Sequence, residues 1–147
     1  MELKVNSMLW LLRAIFSLIL LTALGSRAAL ANAEFDQAYK AAQAGNYKQA
    51  IMLWQPLAEQ GNSAAQYALG WMYESGQGTL QNYPQAAYWY SKAAEQGDVA
   101  AQYVLATMYS KGLGVVKDQQ QAVKWLLKAA EQGDRAGPDA QDQRPQQ

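Results

Sequence analysis

The sequence predicts an all-α solenoid of about six helices, and three observations carry that prediction. The string Ala-Glu-Gln-Gly occurs at 58–61, 94–97 and 130–133, each copy 36 residues after the last. Residues 61–96 set against 97–132 are identical at 18 of 36 positions without a gap, and a fixed period of that length marks a stacked repeat. Within each period the apolar residues recur at helical rather than strand spacing.

The first stretch stands apart from the solenoid. Lys4 and Arg13 are basic, 14–24 is apolar apart from Ser17 and Thr22, and Ala31-Asn32-Ala33 comes after it. A basic start, a short apolar run and an A-x-A motif predict a secretory signal peptide over 1–33, cleaved between Ala33 and Glu34. The rival is a transmembrane anchor. A clean span needs roughly 20 apolar residues, and Arg13 divides this run. No cysteine follows it, which argues against a lipid-modified leader. The expected location is therefore the periplasm or the outside of the cell, with no stable membrane insertion after cleavage.

Residues 34–60 read as a shorter helical pair. Phe35, Ala38, Tyr39 and Ala42 make one amphipathic face, Gly45-Asn46 turns the chain, and Ala50, Trp54, Leu57 and Ala58 make the next face. Pro56, near the end of that second helix, is placed to kink it. Residues 61–96 and 97–132 are the two full units. In their first helices Ala65, Leu69, Met72 and Tyr73 are echoed by Ala101, Leu105, Met108 and Tyr109, at i, i+4, i+7 and i+8. The turns Ser75-Gly76-Gln77-Gly78 and Lys111-Gly112-Leu113-Gly114 come next. Asn82 with Gln85, and Asp118 with Gln121, fit a helix cap followed three residues later by a glutamine. Ala86, Trp89, Tyr90, Ala93 and Ala94 make the apolar face of the second helix, echoed by Ala122, Trp125, Leu126, Ala129 and Ala130. Residues 133–147 contain no large apolar side chain, and Gly137-Pro138 would break a helix at its start. This segment is expected to be a disordered tail.

These residues resemble a known family. The strings "AEQGNSAAQYALGWMYESGQG", "AAYWYSKAAEQGDVAAQYVLATMYSKGLGVVKD" and "AVKWLLKAAEQGD" are similar to Sel1-like repeats, relatives of the tetratricopeptide repeat. The opening "AAQAGNYKQAIMLWQPLAEQG" is similar to a tetratricopeptide-like unit. The resemblance covers about 35–134. It implies a right-handed solenoid whose first helices line a concave groove, and a role in holding protein or peptide partners. Two positions depart from the pattern: Ala106 stands where Gly70 does one unit earlier, and Gln119 where Tyr83 does.

Composition narrows the chemistry. The chain has 12 basic and 12 acidic residues, no histidine and no cysteine. Imidazole bases, thiol nucleophiles, His/Cys zinc sites and disulfides are thereby excluded. Residues 34–147 carry a net charge of −2 with no cluster of Lys and Arg, which speaks against a nucleic-acid partner. Glu59, Glu95 and Glu131 fall once per unit at helix ends, without the second nearby carboxylate that a glycosidase pair requires. The two G-x-G loops come after no strand and read as turns rather than phosphate cradles. No catalytic set, cofactor or metal site is expected. A hydrolase is the least favoured reading.

Contact residues are sought opposite the core face. Tyr67, Trp71 and Glu74 point away from the Ala65/Leu69/Met72/Tyr73 stripe, and Tyr103, Thr107 and Ser110 take the same places one unit on. Exposed aromatics suit binding because they give large contact area at low entropic cost. Tyr67 and Tyr103 also admit a second role, packing between neighbouring first helices. The last helix has no following neighbour, so Leu126, Leu127 and Ala130 are candidates for an end-face contact, including self-association. Lys124, Lys128 and Glu131 read as solvated. The expected function is a non-catalytic interaction module of the cell envelope, with a glycan or peptidoglycan binder as the alternative.

Overall fold

The computed structural model describes residues 29–135, with side chains through residue 133. The described residues form six α-helices and no strand: α1 (29–43), α2 (Tyr47–Glu59), α3 (Ser63–Ser75), α4 (Tyr83–Glu95), α5 (Val99–Lys111) and α6 (Gln119–Arg135). Each packs on its neighbours in the chain, α2 on α3, α3 on α4, α4 on α5 and α5 on α6. Ala38 and Ala41 bring α1 into the same core as Trp54, Leu57, Leu69 and Met72. This is the nearest-neighbour packing of an all-α solenoid, as the repeat predicted.

Local chemistry sets each boundary. Asn62 accepts the Ala65 N–H at 2.9 Å and Asn82 that of Gln85 at 3.0 Å, starting α3 and α4. Asp98 accepts the Ala101 N–H at 2.8 Å to start α5, and Asp118 accepts those of Gln120 and Gln121 to start α6. A capping oxygen satisfies one of the donors a helix leaves open. At the other end, α3 and α5 stop at Gly76 and Gly112, both left-handed with φ of 71° and 75°. The second glycine of each loop has a different task. A Cβ on Gly78 would stand 2.7 Å from Tyr47, and one on Gly114 would run into the Tyr83 backbone. The G-x-G loops are thus turns that also press against the start of the preceding second helix.

The predicted faces of α3, α4 and α5 supply the core, whereas Tyr39 of α1 and Leu126 and Ala130 of α6 are exposed. Ala65, Leu69 and Met72 of α3, and Ala101, Leu105 and Met108 of α5, lie in the core with Ala86, Trp89, Tyr90, Ala93 and Ala94 of α4. Gly70 lets α3 approach α4, since a Cβ there would meet the Tyr90 ring at 2.7 Å. One unit on, Ala106 replaces the glycine and the smaller Leu126 replaces Tyr90.

Two helices extend past their predicted limits. The helix α1 is continuous from residue 29, so the predicted cleavage pair Ala33 and Glu34 lies inside it, and Ala31 packs against the core. Residues 1–28, the rest of the predicted leader, lie outside the described residues. At the far end α6 runs through Gly133 to Arg135. The remainder of the predicted tail, 136–147, also lies outside them.

Candidate functional site

Two surfaces stand out, a groove near the N-terminal end and the open face of α6. The groove has a volume of about 420 Å³ and is lined by Phe35, Tyr39, Ala42, Gln43, Tyr47, Trp54, Ala64, Tyr67, Ala68, Trp71 and Asp98. The side chains come from α1, α2 and α3, with Asp98 reaching in from the cap of α5.

Tyr39 and Trp71 are exposed on its walls, while Trp54 is buried beneath it, its ring centroid 5.9 Å from that of Phe35. The Trp54 Nε1–H is buried and has no hydrogen-bond acceptor among the described residues. An unpaired buried donor costs about 1–3 kcal/mol.

Of the six predicted contact residues, the groove takes Tyr67 and Trp71 and not the others. Glu74 is half-buried, and its carboxylate accepts the Tyr90 hydroxyl at 2.7 Å. Tyr103 and Thr107 are exposed further along on α5, where the Thr107 hydroxyl donates to the Tyr103 carbonyl at 3.1 Å. The Ser110 carbonyl accepts from the Gln119 side chain at 3.3 Å. Tyr67 lies between the groove and the second helix α4. Its ring lies 5.4 Å from that of Tyr90, inside the repeat packing, and its edge lines the groove. Burial, then the negative charges of Asp98 and Glu74, push the Tyr67 hydroxyl above its ordinary pKa. Tyr90 is raised far more, chiefly by burial and then by its bond to Glu74.

Sequence reasoning assigned Phe35 and Tyr39 to an internal face and gave Tyr47 and Asp98 no role. Tyr47 opens α2 directly after the Gly45 turn, and Asp98 precedes an Ala-Ala pair as Asn62 does. Those are the signals that mark them.

The recurring glutamines belong to the scaffold. Gln66 and Gln102 are buried and donate to the carbonyls of Ala58 and Ala94, at 2.9 and 3.0 Å. Their own side-chain carbonyls accept from Gln96 at 2.7 Å and Gln132 at 3.2 Å. The first two copies of Ala-Glu-Gln-Gly therefore offer an alanine carbonyl forward, and the second and third send a glutamine back. Glu59 and Glu95 are exposed as the last residues of α2 and α4, and Glu131 is exposed within α6. Among the described residues no acidic cluster is arranged to hold a metal, and no helix is long and apolar enough to cross a membrane.

On α6 the predicted end-face residues Leu126, Leu127 and Ala130 are all exposed, and Val123 joins them. Lys128 lies over the Trp125 ring at 4.5 Å, covering part of the adjoining surface.

Comparison with known proteins agrees with the repeat. The Sel1 repeat model matches residues 40–62, 63–98 and 99–134. Among curated proteins no sequence matches. A crystal structure of a Sel1 repeat protein from Oxalobacter formigenes is 42% identical, over 65% of this chain and 40% of its own length, with a TM-score of 0.62. The crystal structure of c5321, a protective antigen present in uropathogenic Escherichia coli strains and displaying an SLR fold, is also 42% identical. That match covers 70% of this chain and 23% of the antigen, with a TM-score of 0.66. Helicobacter pylori cysteine rich protein B has the same fold, at 24% identity and a TM-score of 0.57, over 70% of this chain and 88% of its own. The chain spans less than half the length of the first two.

Proposed function

The chain belongs to the Sel1 repeat family, and from that premise we propose that it is a non-catalytic interaction module of the bacterial cell envelope, holding a peptide or protein segment in the groove between α1 and α3. Sel1 repeat proteins generally mediate protein–protein interaction and are typically non-catalytic. The observation that supports the groove as the site is its wall of aromatics, with Trp71 and Tyr39 exposed over a buried floor. Rigid aromatic surface is the usual anchor for a partner. Export rests on the predicted leader. N-terminal sequencing of the protein recovered from cells should begin at Glu34, and a chain that keeps Met1 and stays with the membrane would favour an anchor instead.

The test of the groove is Trp71→Ala. Crosslinking in the native envelope should capture a protein partner with the unaltered chain. Its affinity for the substituted chain should fall by about 30-fold, the effect of losing one central anchor of about 2 kcal/mol. Capture that is indifferent to Trp71 would remove the groove as the site. Retention on purified sacculi in high salt, lost with Trp71→Ala, would favour the glycan reading. Self-association through the open face of α6 belongs to the same proposal. Sedimentation showing only monomer across micromolar concentrations would remove that part.

A further inference from the structure

The groove has a charge preference built into it. Eleven residues line it, and Asp98 is the one among them with a carboxylate side chain. No lysine or arginine lines it. Asp98 is held in place by its capping role: its Oδ1 accepts the Ala101 N–H at 2.8 Å, which leaves Oδ2 for an incoming donor.

A second carboxylate stands close behind. Glu74 lies one turn beyond Trp71 on α3, and its bond to the Tyr90 hydroxyl fixes it beside the Tyr67–Tyr90 ring pair. Both charges act on Tyr67, in the groove wall. A cation entering here meets a carboxylate acceptor, a negative field and the faces of aromatic rings, each of which attracts positive charge. An acidic segment meets only repulsion.

We infer that the groove selects a basic segment: a peptide that seats one bulky apolar side chain against Tyr39, Tyr67 and Trp71 and presents a nearby Lys or Arg to Asp98. This rests on the groove being the binding site and adds the chemistry of its occupant.

The experiment is an array of eight-residue peptides, each with a central Trp, Phe or Leu and varied flanking residues, probed with the purified chain. Bound sequences should be enriched in Lys or Arg beside the apolar residue. A matched Lys/Gln peptide pair is then measured by fluorescence anisotropy against the unaltered chain, Asp98→Asn and Trp71→Ala. The Lys member should bind about tenfold tighter to the unaltered chain, the effect of one charge-assisted hydrogen bond. Asp98→Asn should abolish that difference by weakening the Lys member, and it should keep α5 capped because asparagine caps a helix as well as aspartate does. An unchanged thermal melt for Asp98→Asn checks that α5 is intact.

Trp71-dependent binding with no basic preference, or with one that survives Asp98→Asn, overturns this inference and leaves the groove standing. An array with no bound peptide, or binding indifferent to Trp71→Ala, overturns both.

Discussion

The helices α4 and α6 are the same element spelled twice, 36 residues apart, and they meet different fates. Ala86, Trp89 and Ala93 are buried in α4, and their counterparts Ala122, Trp125 and Ala129 are equally buried in α6. That face belongs to the hairpin partner, α3 or α5. The adjoining face does not carry over. Ala87 is 3% exposed and Tyr90 1%, whereas Val123 is 52% exposed and Leu126 44%. In α4 the next repeat covers that face through α5, and among the described residues nothing covers it in α6. Burial here is decided by the neighbour, because the apolar character of the face is kept in both copies. A solenoid of this length therefore ends on a surface made for packing.

Placing a charge on each copy of that face breaks the symmetry most strongly. Ala87→Lys forces a long cation between α4 and α5 and is expected to lower stability by about 2–4 kcal/mol, from overpacking and desolvation together. Val123→Lys, at the equivalent position, should stay within about 0.5 kcal/mol, as open surface positions do. Urea denaturation of the two variants measures the difference. Equal losses would mean that the α6 face is covered in solution, and concentration-dependent midpoints would identify a second copy as the cover.

A smaller effect tests how the first helices meet α4 and α6. Gly70→Ala drives a methyl into the Tyr90 ring and should cost about 1–3 kcal/mol. Ala106 already carries that methyl, and Leu126 stands at the position equivalent to Tyr90. Combining Gly70→Ala with Tyr90→Leu copies the second repeat into the first, and should recover part of the loss relative to the sum of the single changes. The double-mutant cycle gives the coupling directly. Simple additivity would show that α3 shifts away from the ring instead.

The repeat, its helices and their buried faces were legible because a 36-residue identity and a helical period are local properties of the chain. The groove was legible only in part. Tyr67 and Trp71 announce themselves by lying off the α3 core stripe. Their companions Phe35, Tyr39 and Tyr47 come from the shorter unit without the G-x-G loop, so no register predicted which of their edges would face α3. Asp98 enters from the following repeat, a placement that depends on how hairpins stack rather than on any spacing within one. The same limit hid the glutamine latch. Gln66 and Gln96 are 30 residues apart, and their contact exists only after two repeats have docked. Glu74 fell on the predicted face and was captured by Tyr90 across the hairpin, a bond that periodicity cannot show.

The smallest effect concerns the string that counts the repeats. Gly61 and Gly97 turn the chain with φ of 94° and 96°, and each precedes a capping residue and a new first helix. Gly133 closes the third identical string, yet it lies within α6, exposed, with space around the position a Cβ would take. The same four residues thus end a helix twice and continue it once. The difference lies in the residues beyond each copy. After the first two, an asparagine or aspartate caps a helix that docks on the core, while the third runs into Asp134-Arg135-Ala136-Gly137-Pro138. Alanine separates the two behaviours by sign. Gly97→Ala must hold a left-handed conformation and should destabilise by about 1 kcal/mol. Gly133→Ala replaces the poorest ordinary helix former in a helical position and should stabilise the end of α6 by about 0.5–1 kcal/mol. Hydrogen exchange of the α6 amides reads the second change where a global melt would not, since fraying at a helix end is local. Slower exchange from Ala129 to Gln132 is the expected result. Faster exchange there would mean that Gly133 turns in solution as its two counterparts do, and that the third string also closes a repeat.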